Sequence, residues 1–134
     1  MNIVLNKNDY SIDDVYFKET IKNAIIENSS FIRILYSNSL IVLNGIYILI
    51  DNEEFNINKI KSTDDIFNII YFLTNLEINI LKKVNIKSKT PVYKIIEYFT
   101  NNKFFNKHSQ CILKISGIWI TSIEYGLTLT FMDI

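Results

Sequence analysis

Lysines alternate with aromatic residues over one segment of the chain, between Lys82 and Trp119. Cationic side chains neutralise phosphates and release counterions, and flat rings stack on unpaired bases at roughly 1–3 kcal/mol per base. The pattern therefore favours binding of single-stranded nucleic acid. The candidates for phosphate contacts are Lys82, Lys83, Lys87, Lys89, Lys94, Lys103, Lys107 and Lys114, and those for stacking are Phe104, Phe105 and Trp119.

A separate stretch supplies candidates for the facing wall of a groove, namely Arg33, Tyr36 and Tyr47. Each aromatic candidate also has an ordinary interpretation as a core residue. Trp119 alternates with apolar positions that are expected to be buried, which favours the core. Phe104 and Phe105 are adjacent, and adjacent side chains of an extended segment point to opposite sides, so one of these two rings is predicted to be exposed.

Residue types that support catalysis or metal binding are few. His108 and Cys111 are the single histidine and the single cysteine, so no zinc ligand set can be completed. The acidic pairs at 13–14, 53–54 and 64–65 lie at expected element boundaries, where carboxylates are usually solvated or cap helices. No glycine-rich phosphate loop and no G-x-S-x-G motif occurs. We expect a protein that is not an enzyme and that needs no cofactor or metal.

Charge is balanced overall, with 14 basic and 14 acidic side chains, but it is unevenly distributed. Residues 1–78 hold 6 basic and 11 acidic side chains, whereas residues 79–134 hold 8 and 3. Such an asymmetry indicates contact with nucleic acid or with a membrane surface. The alternative is a solvated, lysine-rich region produced by AT-rich codons, because Ile, Asn and Lys are unusually abundant.

Length and hydropathy limit the class of protein. A chain of 134 residues is expected to form one domain, residues 1–134, with a well-filled core. The longest apolar run, residues 40–50, is too short to span a membrane, and one cysteine cannot form an internal disulfide. We therefore expect a cytoplasmic protein without a membrane partner.

Two hairpins are predicted from alternation and turn residues. Gln110 to Ile134 forms the closing hairpin, with a polar turn at Thr121 to Glu124 and a bend or close backbone approach at Gly117. Phe31 to Tyr36 and Leu40 to Ile50 form a second hairpin with a kink near Gly45. Val15 to Ile21 is interpreted as a strand, with a helix as the alternative.

Two helices are predicted between the hairpins. Helical spacing of apolar residues from Ile66 to Val84, after a capping Ser62, indicates the first, and Thr90-Pro91 indicates the start of the second. The resulting order favours a mainly β fold, a five-stranded OB-type antiparallel barrel with two helices between strands three and four. An α+β sandwich, with helices on one face of an antiparallel sheet, fits almost as well.

Several of these segments resemble parts of OB-fold single-stranded-DNA-binding proteins. K-I-S-G-I-W at Lys114 to Trp119 and Y-G-L-T at Tyr125 to Thr128 resemble their closing hairpin, and S-F-I-R-I-L-Y at Ser30 to Tyr36 with L-N-G-I-Y at Leu43 to Tyr47 resembles their central one. The proteins concerned are carried by AT-rich nucleocytoplasmic large DNA viruses and by yeast cytoplasmic linear (killer) plasmids. The resemblance implies an OB fold and a role in DNA replication. The long acidic tail of the related phage-type proteins has no counterpart at Met132-Asp133-Ile134.

The first hypothesis is a sequence-tolerant, non-catalytic protein that coats single-stranded DNA during replication of a viral or plasmid genome, in contact with replication proteins. The alternative is a non-catalytic protein-interaction subunit of a viral or plasmid complex, since high apolar content at zero net charge suits assembly. A homo-oligomer formed through an edge strand such as residues 40–50 is compatible with both hypotheses. A nuclease that uses the acidic pairs is a third, weaker possibility.

Overall fold

The computed structural model describes residues 4–23, 25–51, 63–95, 97 and 110–133. Over these residues the chain forms a seven-stranded mixed sheet and one long helix, so the fold is mainly β, as predicted. Two short 3-10 turns, Lys7–Asp9 and Ile12–Asp14, precede the first strand. The strands are β1 (Val15–Lys22), β2 (Ser30–Ser37), β3 (Val42–Asn44), β4 (Ile46–Asp51), β5 (Thr90–Val92), β6 (Gln110–Ile120) and β7 (Glu124–Asp133), and the helix is α1 (Thr63–Val84).

The sheet is open and runs in the order β1-β2-β6-β7-β5. Strand β3 adjoins β2, and strand β4 adjoins β6. All named strand pairs of the described chain are antiparallel except β5 with β7. The predicted five-stranded OB-type barrel with two helices is therefore wrong, because the described strands number seven and the two end strands do not close on each other. The alternative, helical structure on one face of a sheet, is closer to the observed arrangement.

The second predicted helix is replaced at its start by a strand. Thr90, Pro91 and Val92 form β5, which pairs in parallel with Glu124 to Gly126 of β7. Proline fits the first turn of a helix because it lacks an N–H, and it fits a strand at the edge of a sheet for the same reason. Pro91 is therefore compatible both with the start of a helix and with an edge strand. In the structure, pairing with the edge of β7 makes it a strand residue.

The closing hairpin is confirmed, and it contains a bulge that changes which side chains face the core. Its register shifts between Ile115 and Gly117, so that Ile115 and Ile118 are both buried. The alternation predicted for this strand placed Trp119 with the buried residues, and that prediction is wrong beyond the bulge. One extra residue reverses the alternation, and Trp119 faces the opposite side of the sheet from the core.

The second hairpin is also confirmed, with its kink at Gly45. Gly45 has a φ of +99°, a backbone conformation that residues with a Cβ atom rarely adopt. At this kink the neighbouring strand changes: β3, before Gly45, pairs with β2, whereas β4, after Gly45, pairs with β6. The strand predicted over Val15 to Ile21 is observed as β1, and the first predicted helix is observed as α1.

The core lies between α1 and the face of the sheet that we call the inner face. Isoleucines dominate the inner face, and β-branched side chains suit a pleated, packed surface. The helix contributes leucines and an isoleucine at helical spacing. The buried residues from the two sides include Ile32, Ile34, Ile46, Ile48, Leu113, Ile115 and Ile118 of the sheet and Leu73, Leu76, Ile80 and Leu81 of the helix.

Candidate nucleic-acid interface

The face of the sheet opposite α1, which we call the outer face, carries the candidate site. Residues that alternate with the buried ones on β2, β4 and β6 point to this side. The strand register places Tyr47 directly opposite Lys114, and Phe31 directly opposite Trp119. Arg33 lies directly opposite Gly117. Three aromatic rings and two cations from separate strands therefore share one surface.

Lys114 and Tyr47 form the centre of this surface. The Nζ atom of Lys114 lies 5.7 Å from the centroid of the Tyr47 ring, within the range of a cation–π contact. A cleft of about 400 Å³ opens beside the pair, and the described residues that line it include no acidic one. Its lining is formed by Phe31, Arg33, Ile34, Asn44, Tyr47, Lys114 and Ser116.

Two glycines allow aromatic rings to lie close to the sheet. A Cβ atom at Gly117 would stand 2.5 Å from Cζ of Phe31, and one at Gly126 would stand 2.7 Å from Cζ2 of Trp119. The two rings therefore lie over positions where the backbone has no side chain. Phe31 and Trp119 are both half-buried, so part of each ring remains accessible. Rings held in this way form a surface on which a base can stack without a large loss of side-chain entropy.

Lys94 adds a third cation at the end of the sheet. It follows β5, and its Nζ atom lies 5.4 Å from the centroid of the Trp119 ring. The backbone of this segment is held from the core side by Glu77 of α1. The carboxylate of Glu77 accepts from the N–H of Lys94 at 2.9 Å and from the N–H of Ile95 at 3.2 Å.

Glu77 is the one buried side chain of the Asp, Glu, Lys, Arg and His type among the described residues, with 1% of its surface exposed. Burial raises the pKa of its carboxyl group, and repulsion from Glu97 adds to that rise. The two backbone N–H groups and the charge of Lys94 act in the opposite direction. The segment that carries Lys94 is therefore hydrogen-bonded to a buried carboxyl group whose charged form is disfavoured by desolvation.

Tyr36 does not belong to the outer face. Its ring is fully buried and stacks on Tyr10 at a centroid distance of 5.9 Å. Its hydroxyl accepts from the N–H of Ser11 at 2.9 Å and donates to the carbonyl of Asp9 at 3.2 Å. Desolvation raises the pKa of this hydroxyl. Alternation along β2 puts Tyr36 on the side opposite Arg33, so the structure removes it from the set of stacking residues.

The four lysines from the last turn of α1 to the start of β5 are not part of the outer-face cluster. Lys82 and Lys83 lie at the end of α1, and Lys83 donates to the carbonyl of Ile12 at 2.8 Å. Lys87 is exposed in the following loop, and Lys89 donates to the carbonyl of Thr121. The candidates Lys103, Phe104, Phe105 and Lys107 lie outside the described residues.

The structure adds a residue that the sequence reasoning passed over, namely Phe31. Its position one place before Ile32 on β2 put it on the same face as Arg33, so the alternation already contained the signal. What the sequence lacked was the register that sets Phe31 opposite Trp119. Asn44 and Ser116 join the cleft for the same reason, since strand pairing brings them there.

Stacking and charge neutralisation are the chemistry that this surface offers. Cations beside aromatic rings can contact phosphates while the rings contact bases. Among the described residues, no three His, Cys, Asp or Glu side chains gather as metal ligands would. Within the same part of the chain, every helix is too short or too polar to cross a membrane.

Comparison of the chain with known protein families, with curated proteins and with solved structures finds no match. A functional assignment therefore depends on the geometry of the outer face.

Proposed function

We propose that the protein is a non-catalytic single-stranded-nucleic-acid-binding protein that holds its ligand on the outer face of the sheet. The observation that carries the proposal is the cluster of Phe31, Tyr47 and Trp119 with Arg33 and Lys114 on one surface of the described sheet. Aromatic rings with interleaved cations are the combination that sequence-tolerant binders of single strands use.

Each part of the ligand has a partner in this arrangement. Bases stack on Phe31, Tyr47 and Trp119, and the sugar-phosphate backbone passes Arg33, Lys114 and Lys94. The contacts are to ring faces and phosphates, which every base and every nucleotide presents, so sequence preference is weak. A duplex hides its base faces, so a double strand is expected to bind less tightly at equal charge.

Single-stranded DNA is the proposed ligand, in the role of coating exposed strands during replication. The resemblance of the two hairpins to viral and plasmid single-stranded-DNA-binding proteins supports DNA in particular. The surface itself supports the more general class of ligand, an unpaired nucleic acid. Comparison of DNA and RNA oligonucleotides of the same sequence tests the choice between them.

Fluorescence anisotropy of a labelled oligonucleotide of about 30 nucleotides, long enough for one site of roughly 4–16 nucleotides, tests the proposal. We expect tighter binding of the single strand than of the same sequence as duplex, with affinity that falls as salt rises. Trp119 is the only tryptophan of the chain, so its emission should be quenched when a base stacks on it. Equal affinity for both forms, or no binding at low salt, would contradict the proposal.

The matched variants are Lys114→Ala and Lys82→Ala. Both remove one lysine charge, but Lys114 lies beside Tyr47 on the outer face, whereas Lys82 lies on α1 at the other side of the sheet. We expect Lys114→Ala to reduce the slope of log affinity against log salt by about 0.7, the value for one phosphate contact on a single strand. Lys82→Ala should leave that slope unchanged. A reduced slope for Lys82→Ala together with an unchanged slope for Lys114→Ala would place the binding site on the side of the sheet that carries α1.

The alternative, a non-catalytic protein-interaction subunit, is supported by a different observation. Ile25, Leu40 and Ile123 are large apolar residues with 94%, 89% and 67% of their surface exposed. Exposed apolar residues mark contact sites for other proteins more often when they are contiguous. These three lie in separate turns, and for that reason the outer face carries the first proposal.

A further inference from the structure

Strand β1 lies at one end of the sheet and pairs only with β2 among the described strands. It is eight residues long and contains no proline. The strand at the other end, β5, is three residues long and contains Pro91. The residues 40–50, which the sequence suggested as a pairing edge, are partly covered, since Leu5 bonds to the carbonyl of Tyr47 and to the N–H of Leu49. Short, proline-containing or covered edges resist pairing with another chain. Strand β1 is neither short nor interrupted by proline, and its described cover is limited to its start, where the N–H of Val15 bonds to the carbonyl of Ile12.

The direction of the backbone groups of β1 follows from its neighbours. Gly45 donates its N–H to the carbonyl of Ile34, so the polar groups of Ile34 face β3. Successive residues of an antiparallel strand face opposite neighbours, so Leu35 faces β1, where its partner is Tyr16. Consequently Val15 and Phe17, on either side of Tyr16, turn their backbone groups away from β2. The N–H of Val15 bonds to the carbonyl of Ile12, so Phe17 is the first residue with both groups at the free edge.

The same reasoning applies to the second half of β1. Asn23 donates its N–H to the carbonyl of Ser29, so Ile21, two residues earlier, also bonds to β2. Thr20 and Lys22 therefore turn their polar groups to the free edge. The change of phase between Phe17 and Thr20 is produced by the bulge that the register shows there.

The bulge also brings two exposed apolar side chains to one face. Tyr16 pairs with Leu35 and Ile21 pairs with Phe31, so both lie on the side of the outer face although they are five residues apart. Their exposed fractions are 52% and 50%. Between them lie Lys18 and Glu19, both exposed. The side chains along this edge are thus apolar, basic, acidic and apolar in order. Within one chain, the Nζ atom of Lys83 lies 5.4 Å from the centroid of the Tyr16 ring, and Lys18 donates to Oδ1 of Asn44 at 3.3 Å.

We propose that this edge pairs with β1 of a second copy of the chain, antiparallel and about a two-fold axis between Lys18 and Glu19. In this register Lys18 lies opposite the partner's Glu19, and Tyr16 lies opposite the partner's Ile21. Phe17 lies opposite the partner's Thr20, and both of these residues turn their backbone groups to the shared edge. Lys22 lies near the partner's Val15, whose N–H is bonded to Ile12, so at this end the contact is between the charge of Lys22 and the acidic turn at Asp13 and Asp14. The pattern is self-complementary, as a two-fold interface requires.

Neighbouring registers lose these matches. An axis through Lys18 or through Glu19 puts like charges opposite each other and sets outward backbone groups against inward ones. A shift by two residues sets Tyr16 against the partner's Glu19 or Asn23. Like charges directly opposite, or an apolar side chain against a charge, destabilise a strand pair. Of these registers, the axis between Lys18 and Glu19 matches charge and face, and it sets the edge-facing backbone groups of Phe17 against those of the partner's Thr20.

The dimer has two physical consequences. One strand of eight residues forms a small interface, so we expect reversible association and not an obligate dimer. Directly opposite residues share a face, so the two outer faces lie on the same side of a continuous sheet. This pairing does not depend on the proposed function, although two binding surfaces on one side would increase avidity for a long strand.

Sedimentation equilibrium of the full chain, without nucleic acid, tests the dimer, since one chain has a mass of 15.8 kDa. We expect a concentration-dependent rise towards twice that mass. Lys18→Glu alone and Glu19→Lys alone each place like charges across the axis and should sediment as monomers. An equimolar mixture of the two variants places opposite charges across the axis at both positions, so the mixture should dimerise.

Two further variants complete the test. Lys87→Glu makes the same charge change on an exposed loop residue distant from β1 in the sequence, and it should leave the dimer intact. Thr20→Pro removes an N–H that faces the free edge without removing a bond to β2, and it should abolish dimerisation while the thermal unfolding transition remains. A wild-type monomer at all concentrations, or single charge variants that dimerise as well as the wild type, would overturn the proposal. Loss of DNA binding alone leaves this outcome unaffected, because the readout is mass.

Discussion

The two faces of the sheet are built from alternate residues of the same strands and differ in almost every property. On β6, Leu113 and Ile115 point to the inner face and are fully buried against the core, whereas Lys114 between them points outward beside Tyr47. The inner face packs against α1 and consists mainly of aliphatic residues, together with Tyr36 and Tyr125. The outer face has no helix over its described residues and carries aromatic rings and cations. The comparison separates the residues that make the fold from those available to a ligand.

The difference between the faces is maintained by a bulge. A regular strand would have carried Trp119 to the inner face together with Leu113 and Ile115. The extra residue between Ile115 and Gly117 keeps Ile118 in the core and turns Trp119 outward. Bulges are common where a side chain has to be re-aimed for a function. We interpret this bulge as the feature that completes the aromatic cluster.

The largest expected effect comes from adjacent substitutions on opposite faces. Leu113→Ala should lower the free energy of unfolding by about 2–5 kcal/mol, because it leaves a cavity in a packed core. Lys114→Ala should change it by less than about 1 kcal/mol, since an exposed cation–π contact contributes no more than that. Guanidinium unfolding followed by far-ultraviolet circular dichroism measures both values.

Binding should respond in the opposite order. At a temperature where both variants are folded, Lys114→Ala should bind single-stranded DNA more weakly, and Leu113→Ala should bind it as the wild type does. Equal losses of binding in the two variants would mean that the faces are not functionally separate.

A smaller effect is expected from the two glycines beneath the aromatic rings. At Gly117 an added Cβ would meet the backbone carbonyl oxygen of Ile32 at 2.2 Å, and a backbone atom of a central strand cannot move away easily. We expect Gly117→Ala to cost about 1–3 kcal/mol of stability, as overpacking does. At Gly126 the nearest atom belongs to the Trp119 ring, which can rotate, so Gly126→Ala should cost less.

The glycine variants also separate fold from site. Gly126→Ala displaces the single tryptophan, so the emission maximum should shift and binding of single-stranded DNA should weaken, although the protein stays folded. If Gly126→Ala shifted neither the emission nor the binding, Trp119 would not be part of the surface that contacts the ligand.

Much of the fold was predictable because local rules and tertiary pairing agree for most strands. Apolar alternation and turn residues placed both hairpins, the kink at Gly45 and the strand β1. The prediction of a closed barrel was wrong, because the alternation of residues along the strands does not indicate whether the two edge strands pair with each other. The predicted start of the second helix at Thr90-Pro91 was wrong, because proline suits the first turn of a helix and an edge strand equally well, whereas Ile95 and Glu97 further along are helical.

The candidate site was predictable in part, and the limit was register. Arg33, Tyr47, Lys114 and Trp119 were named from residue type alone, and pairing of β2, β4 and β6 brings them together. Tyr36 was named for the same reason and lies in the core, where its hydroxyl bonds to the backbone. Residue type alone does not distinguish Tyr36, which faces the core, from Tyr47, which faces outward. The alternation along β2 already places Tyr36 on the side opposite Arg33.

The smallest expected effect concerns Glu77, which links the two faces. Its carboxylate lies in the core on the side of α1 and accepts hydrogen bonds from the N–H groups of Lys94 and Ile95. The side chain of Lys94 extends to the outer face, where its Nζ atom lies over the Trp119 ring. Burial raises the pKa of this carboxyl group in the folded protein above the value of 4.5 expected for an unfolded chain. The folded state therefore binds the proton more tightly than the unfolded state does.

The sign of the pH dependence follows from this difference. The stabilisation from Glu77 is fully present below pH 4.5, and it is lost as the pH rises through the higher pKa of the folded state. The wild type should therefore gain stability, relative to Glu77→Gln, as the pH is lowered from neutrality towards that of the unfolded carboxyl group. Denaturant unfolding of both proteins across this range isolates the contribution of Glu77 from that of the other acids. A wild type that loses stability relative to Glu77→Gln on acidification would show that the two backbone N–H bonds outweigh desolvation, and that the ionised carboxylate is what holds Lys94 over Trp119.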